Sequence, residues 1–230
     1  VNAFVLDNTI NSRSDLGLRI TQPPNPPASK RIVEPIIVDG REGSLTILKG
    51  WEDTVFDMRA ALLGVNIPAR WRTALPKLLN AKTIYFSNDN SVYYQIKHAE
   101  AGALERRLSS LYDFSVSFTC APFRYLRNVP PVTMTATGTI NNTGTVYSLP
   151  KITVYGTGSR NLTINGKLIV LNILSGSLVL DSELKTCYYG SVAQNQNMNG
   201  DFPVLNVGNN TITLGTGITK VEIEPRWRYI

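Results

Sequence analysis

Tyr112-Asp113-Phe114-Ser115-Val116-Ser117-Phe118-Thr119-Cys120 decides the class of this fold. Tyr112, Phe114, Val116, Phe118 and Cys120 alternate with Asp113, Ser115, Ser117 and Thr119. Successive side chains of a strand point to opposite faces, so this pattern gives a strand with one buried and one wet face. Upstream, Thr54, Phe56, Met58, Ala60 and Leu62 alternate with Val55, Asp57, Arg59 and Ala61, and predict a second such strand. Residues 82–87, the turn Asn88-Asp89-Asn90 and residues 91–98 predict a hairpin. Between them a helix is expected over residues 68–80. Pro68 suits its first turn, and Trp71, Leu75, Leu78 and Leu79 make one apolar stripe. Pro76 should kink that helix or restart it. Residues 100–110 read both ways: Leu104, Leu108 and Leu111 have helical spacing, while Gly102 and Ser109-Ser110 oppose it.

Downstream the pattern is strand and turn throughout. Residues 162–170 hold Asn165-Gly166 between apolar runs, the strongest short hairpin signal. Further strands are expected near 132–137, 150–155, 177–181, 185–189, 210–214 and 218–224, which together imply an antiparallel sandwich. Charge density also changes. Residues 1–128 carry 16 basic and 12 acidic side chains, residues 129–230 only 7 and 5. The step falls at Val129-Pro130-Pro131, a stiff extended punctuation. The expected organisation is a β-rich domain with one short helix over residues 1–129 and a β-sandwich over 130–230.

The chain's 230 residues, 43% apolar and 17% charged, are too apolar for a disordered tail, and no run is long enough to span a bilayer. Val1-Asn2-Ala3-Phe4 does not open like a secretory leader. Cys120 and Cys187 are too few for a disulfide scaffold and read as buried free thiols. A single histidine, His98, leaves little room for triad or zinc chemistry and reads as a core or rim residue sharing a face with Val92, Tyr94 and Ile96. Asp181 and Glu183 are the one tempting acid–base pair, but an acidic turn after Leu180 accounts for them more simply. Gly156-Thr157-Gly158-Ser159 lacks the Lys-Ser/Thr of a phosphate cradle and reads as a β-turn. The net charge of +6 is scattered, densest at Arg70, Arg72 and Lys77, and does not form the stripe of a nucleic-acid binder. No catalytic residue, metal site or cofactor is expected.

The most informative non-enzymatic feature is a projecting arm. Thr21-Gln22-Pro23-Pro24-Asn25-Pro26-Pro27-Ala28 is stiff and poor in hydrogen-bond donors. It leads into an extended run over residues 31–39 containing Pro35, a turn at Asp39-Gly40-Arg41-Glu42-Gly43, and a second run over residues 44–48. Unpaired edges on such an arm pair readily with a neighbouring chain. Arg31, Ile36, Ile37, Val38, Arg41, Glu42, Leu45 and Ile47 are therefore the candidate oligomer interface. In the second half, Tyr147, Tyr155, Tyr188 and Tyr189 are candidates for a glycan or partner surface.

The ordered set of segments resembles the distal tail proteins of phages with long, non-contractile tails. The resembling pieces are Ile36-Ile37-Val38-Asp39-Gly40-Arg41-Glu42-Gly43-Ser44-Leu45-Thr46, the helix with Trp71 and Leu75, and residues 114–125, FSVSFTCAPFRY. Residues 141–158, NNTGTVYSLPKITVYGTG, residues 162–168 and Leu178-Val179-Leu180-Asp181-Ser182-Glu183 match as well. The resemblance implies a ring-forming first domain with a projecting belt hairpin, followed by a galectin-like or carbohydrate-module-like sandwich on the ring's outside. It implies a virion protein at the distal end of the tail, a homo-oligomer of six copies. Its partners would be the tail tube protein, the tail-associated tip protein and, at the periphery, receptor-binding proteins or a host-surface glycan. DNA would pass through the ring without specific contact, and no membrane is involved. The competing expectation is a carbohydrate-binding module or adhesin acting through residues 130–230.

Overall fold

The computed structural model of the chain describes residues 3–230, so the reading of the opening residues rests in part on Val1 and Asn2, which lie outside the described residues. The chain divides into two compact units, one ending at Arg127 and taking in Ile230, the other Asn128–Tyr229.

The first unit contains β1 (Phe4–Leu6), β2 (Ile10–Asn11), β3 (Leu18–Gln22), β4 (Arg31–Ile37), β5 (Ser44–Trp51), β6 (Thr54–Leu63), α1 (Ile67–Leu79), β7 (Thr83–Phe86), β8 (Asp89–Ala101), β9 (Glu105–Leu108) and β10 (Leu111–Leu126). β10 organises it, pairing with β6 from Leu111↔Leu63 to Cys120↔Thr54 and with β8 along its other edge. The antiparallel sheet runs β2-β1-β7-β8-β10-β6-β3, with β9 also on β10. The alternation in β10 and β6 holds: Phe114, Val116, Phe118, Cys120, Phe56, Met58, Ala60 and Leu62 are buried in one cluster. Ala61, expected on the wet face, is buried too. Its methyl is small enough to disappear between its neighbours Arg19 and Asp113.

α1 packs on this core, but by a different stripe from the one expected. Ile67, Trp71, Ala74 and Leu78 recur at i, i+4, i+7 and i+11; the Trp71 ring lies 4.5 Å from Phe114. Leu75 is only half-buried and Leu79 is exposed, because Ile67, one residue before the expected start, sets the buried face. Pro76 does not divide the helix. Its missing N–H costs a bond only to the carbonyl of exposed Arg72, and its own carbonyl accepts from the Asn80 N–H at 3.0 Å.

One other expectation is corrected and one open reading is decided. His98 is not in the core or at its rim beside Tyr94 and Ile96; it is exposed, with Nε2 3.0 Å from Glu100 Oε1. The register of β8 on β10 shifts between His98↔Thr119 and Ile96↔Cys120, so Lys97 is an extra residue. That bulge turns Ala99 inward and His98 outward. Residues 105–108 form β9 rather than helix, because pairing with β10 satisfies their backbone.

The second unit contains β11 (Val132–Met134), β12 (Gly138–Asn142), β13 (Lys151–Gly156), β14 (Gly158–Ile164), β15 (Lys167–Ile173), β16 (Ser177–Asp181), β17 (Thr186–Tyr189), β18 (Val192–Ala193), β19 (Met198–Asn199), β20 (Gly208–Leu214) and β21 (Ile218–Glu224). They make two antiparallel sheets, β11-β21-β13-β16-β17-β18 and β12-β20-β14-β15-β19. Ile152, Val154, Leu180 and Val221 of one and Leu162, Ile164, Leu171 and Ile212 of the other are buried, as the inner faces of a sandwich must be. The β14–β15 hairpin turns at Asn165 (φ 51°) and Gly166 (φ 77°), the two left-handed positions that Asn-Gly tolerates. The chain is thus mostly β with a single α-helix among the described residues.

Candidate assembly surface

β4 and β5 pair only with each other, from Arg31↔Trp51 to Ile37↔Ser44. This two-stranded ribbon is the expected arm. Its root is fastened to the body. The Arg31 guanidinium lies 4.1 Å from the Trp51 ring centre, and Trp51 meets Phe123 of β10 edge-on at 5.3 Å. The Ser29 hydroxyl and, at 3.3 Å, the Thr54 hydroxyl donate to the Pro122 carbonyl, and the Glu52 N–H donates to the Lys30 carbonyl. Arg31 therefore sits at the root, while Arg41 and Glu42 sit in the turn, where the Arg41 N–H bonds the Val38 carbonyl at 3.1 Å.

Beyond the root the arm is exposed along its whole length, including Ile36, Ile37, Val38, Leu45 and Ile47. Directly opposed residues of a ladder share a face. Val33↔Leu48, Pro35↔Thr46 and Ile37↔Ser44 lie on one, Glu34↔Ile47 and Ile36↔Leu45 on the other. Both faces carry exposed apolar side chains, interrupted on one by Glu34, which pairs with Lys49 at 2.8 Å, and on the other by Thr46 and Ser44. Val33 and Leu48 were not among the candidates; the register that pairs them follows a bulge between Ile32 and Val33, for which the sequence carries no signal.

The wet face of the main sheet carries a second feature, a trough of about 520 Å³. Register places Asp57, Ser117 and Glu100 in one row across β6, β10 and β8, and Gln22, Arg59 and Ser115 in the next. The serines make a low floor between charged walls. The Asp57 and Arg59 side chains make no hydrogen bond or ion pair among the described residues. Arg70, from the densest basic cluster, is engaged structurally: its guanidinium donates to the carbonyls of Leu63 at 2.5 Å and Gly17 at 3.2 Å.

The four tyrosines do not converge. Tyr147 packs beside the Arg228 guanidinium, 4.7 Å from its ring centre. Tyr155 donates its hydroxyl to Glu222 at 2.8 Å, with the Lys220 ammonium 4.2 Å from its ring centre. Tyr188 and Tyr189, consecutive on β17, point to opposite faces. Asp181 is buried, and Arg226 donates both Nη1 (2.7 Å) and Nη2 (2.8 Å) to it. The N–H groups of Glu183 and Leu184 add two more bonds to its Oδ1, and Glu183 shares Arg226 at 3.1 Å. Burial opposes ionisation of Asp181, but the guanidinium and the two N–H groups outweigh it and hold the carboxyl below its ordinary range. This is a clamp closing the β16–β17 turn, with every carboxylate oxygen committed. Gly156-Thr157-Gly158 is a one-residue corner carrying the chain from one sheet to the other, tighter than the expected β-turn. Cys120 and Cys187 are free and buried; burial pushes their thiols up to about 12 and about 11.

The sequence matches no family model and no curated protein. Solved structures do match. The SPP1 Dit protein (gp 19.1), described as a paradigm of hub adsorption apparatus in phages infecting Gram-positive hosts, is 15% identical with a TM-score of 0.66, over 97% of this chain and 98% of that one. Chains of the phage p2 baseplate in its activated conformation, solved with strontium and with calcium, are 9% and 10% identical, each with a TM-score of 0.50 over 97% of both chains. From end to end, then, this chain has the fold of the SPP1 Dit protein.

Proposed function

We propose that the chain is a structural protein of a phage tail tip, located at the distal end of the virion tail. Six copies close into a ring that joins the tail tube to the tail-associated tip protein and supports the components that contact the host. The first unit forms the ring, its arm binds the neighbouring copy, and the protein catalyses no reaction. One observation carries the reading: a firmly rooted arm with exposed apolar side chains on both faces, in a chain that shares its fold with a hub protein over 97% of its length. Burying those faces supplies the free energy of assembly, and edge pairing fixes its geometry. The engagement of Asp181 and Glu183 with Arg226 supports a non-enzymatic role. Electron microscopy of the purified chain, alone and with tail tube protein, tests the proposal. Hollow six-fold particles are the expected result; monomers under both conditions refute it.

A further inference from the structure

The arm's exposed apolar side chains favour a cover, but do not say where its tip goes. Among acidic side chains of the first unit, only Asp39, Glu42, Glu52 and Asp57 make no hydrogen bond or ion pair among the described residues. Two of them, with Arg41 between, form the tip of the arm. A third stands in the trough beside the equally unpaired Arg59. The two surfaces carry the same charge set, so each guanidinium can face two carboxylates of the other, although Glu100 is shared with His98 at 3.0 Å. The tip offers one guanidinium flanked by two carboxylates, and the trough offers one guanidinium, Arg59, beside two carboxylates, Asp57 and Glu100. Adjacent strands lie roughly 4.8 Å apart, so Asp57 and Glu100 stand about 10 Å apart across the Ser117 floor. That gap accepts a guanidinium between two carboxylates.

We propose that the tip of one copy's arm, Asp39 to Glu42, seats in the trough of the next copy. Arg41 donates to Asp57 and Glu100, and Arg59 receives the carboxylates of Asp39 and Glu42. The inference rests on the arm-mediated assembly proposed above and names its receptor. The occupant comes from a second copy for a geometric reason. The arm leaves the body beside Thr54, and the trough begins at Asp57 on the same strand, about 10 Å away at roughly 3.3 Å per residue. The seven residues of β4 make the ribbon about 23 Å long, too long and stiff to bring its tip back there without breaking its own ladder. A tip and a trough on different surfaces of one chain make a head-to-tail contact, the kind that closes into rings.

A charge exchange on the full chain tests this, read by multi-angle light scattering over a concentration series. Arg41→Glu, and separately Asp57→Arg with Glu100→Arg, should each raise the half-assembly concentration about tenfold or more. Combining all three should recover most of that loss. These positions are exposed, and circular dichroism of each variant confirms the fold. Replacing residues 33–47 by a short glycine linker should abolish assembly. If the linker variant stays monomeric while the charge variants assemble normally, or while the combination fails to rescue, the trough is overturned and the arm reading stands. If the linker variant assembles like the parent, or the parent stays monomeric at millimolar concentration both alone and with tail tube protein, both fall.

Discussion

Ile37→Thr separates the proposed role of the arm in assembly from any role in folding. Ile37 is 82% exposed, the most exposed large apolar residue of the arm, so its side chain makes little contact within its own copy. Threonine keeps the β-branch and the strand preference and replaces the ethyl group by a hydroxyl. Losing two carbons at ~0.8 kcal/mol each, scaled by the fraction still exposed, costs about 1.3 kcal/mol per contact once a neighbour covers the site. That is roughly tenfold in the affinity of one contact. The proposed ring of six forms six contacts in five association steps, so the half-assembly concentration should rise about fifteenfold. Sedimentation velocity over a dilution series measures it. The urea midpoint of the dissociated chain should stay put, since exposed substitutions usually move stability by less than about 0.5 kcal/mol. A half-assembly concentration within about twofold of the parent would show that Ile37 is not covered in the particle, and the reasoning from exposed apolar faces would fail.

Further outcomes follow from the same geometry. Arg226→Ala leaves the Asp181 carboxylate buried and unpaired, and should lower the stability of the second unit by about 3 kcal/mol, measured by urea denaturation at pH 7. Asp181 titrates below its ordinary range in the folded chain, so its stabilisation is present above the unfolded value near 3.8 and is lost as pH falls through the folded value. The second unit should therefore weaken in acid, and Arg226→Ala should blunt that loss; equal acid sensitivity of parent and variant contradicts the clamp. Gly156→Ala places a methyl 2.7 Å from the Gly217 carbonyl oxygen and should cost roughly 2 kcal/mol by the same denaturation assay. Cys120, with its thiol pushed up to about 12, should resist a thiol reagent at pH 8 in the folded chain and react on unfolding. Trypsin should cut at Arg41 in dissociated chains and spare it in assembled ones.

What was legible in the sequence was whatever local chemistry alone decides. The β10 alternation needed only the period of a strand, and the Asn165-Gly166 turn needed only two residues that tolerate a left-handed backbone. Illegible features depended on a partner distant in sequence. β9 exists because β10 supplies its hydrogen bonds, and the three leucines that mimic a helix could not reveal that. β12 was hidden because one of its two buried side chains, beside Ile140, is polar. Asn142 is buried by donating to the Val146 and Leu205 carbonyls, both at 3.1 Å, and accepting from the Gly144 N–H at 2.8 Å, so no apolar pattern marks it. His98 moved faces on a single extra residue, Lys97, which no hydrophobic count detects. The arm was visible as a pattern, but its two uncovered faces were not, because exposure is a property of what fails to pack.

Pro35 stands midway along β4, opposite Thr46, and brings no backbone donor to the arm. A sticky ribbon shown by every newly made copy is also a template for runaway fibres, in which strand adds to strand without end. A missing donor halfway along leaves an incoming foreign strand with a gap in its ladder. The proline thus hinders endless backbone stacking on that strand while leaving the ribbon's side chains, and the edge of β5, free to make specific contact.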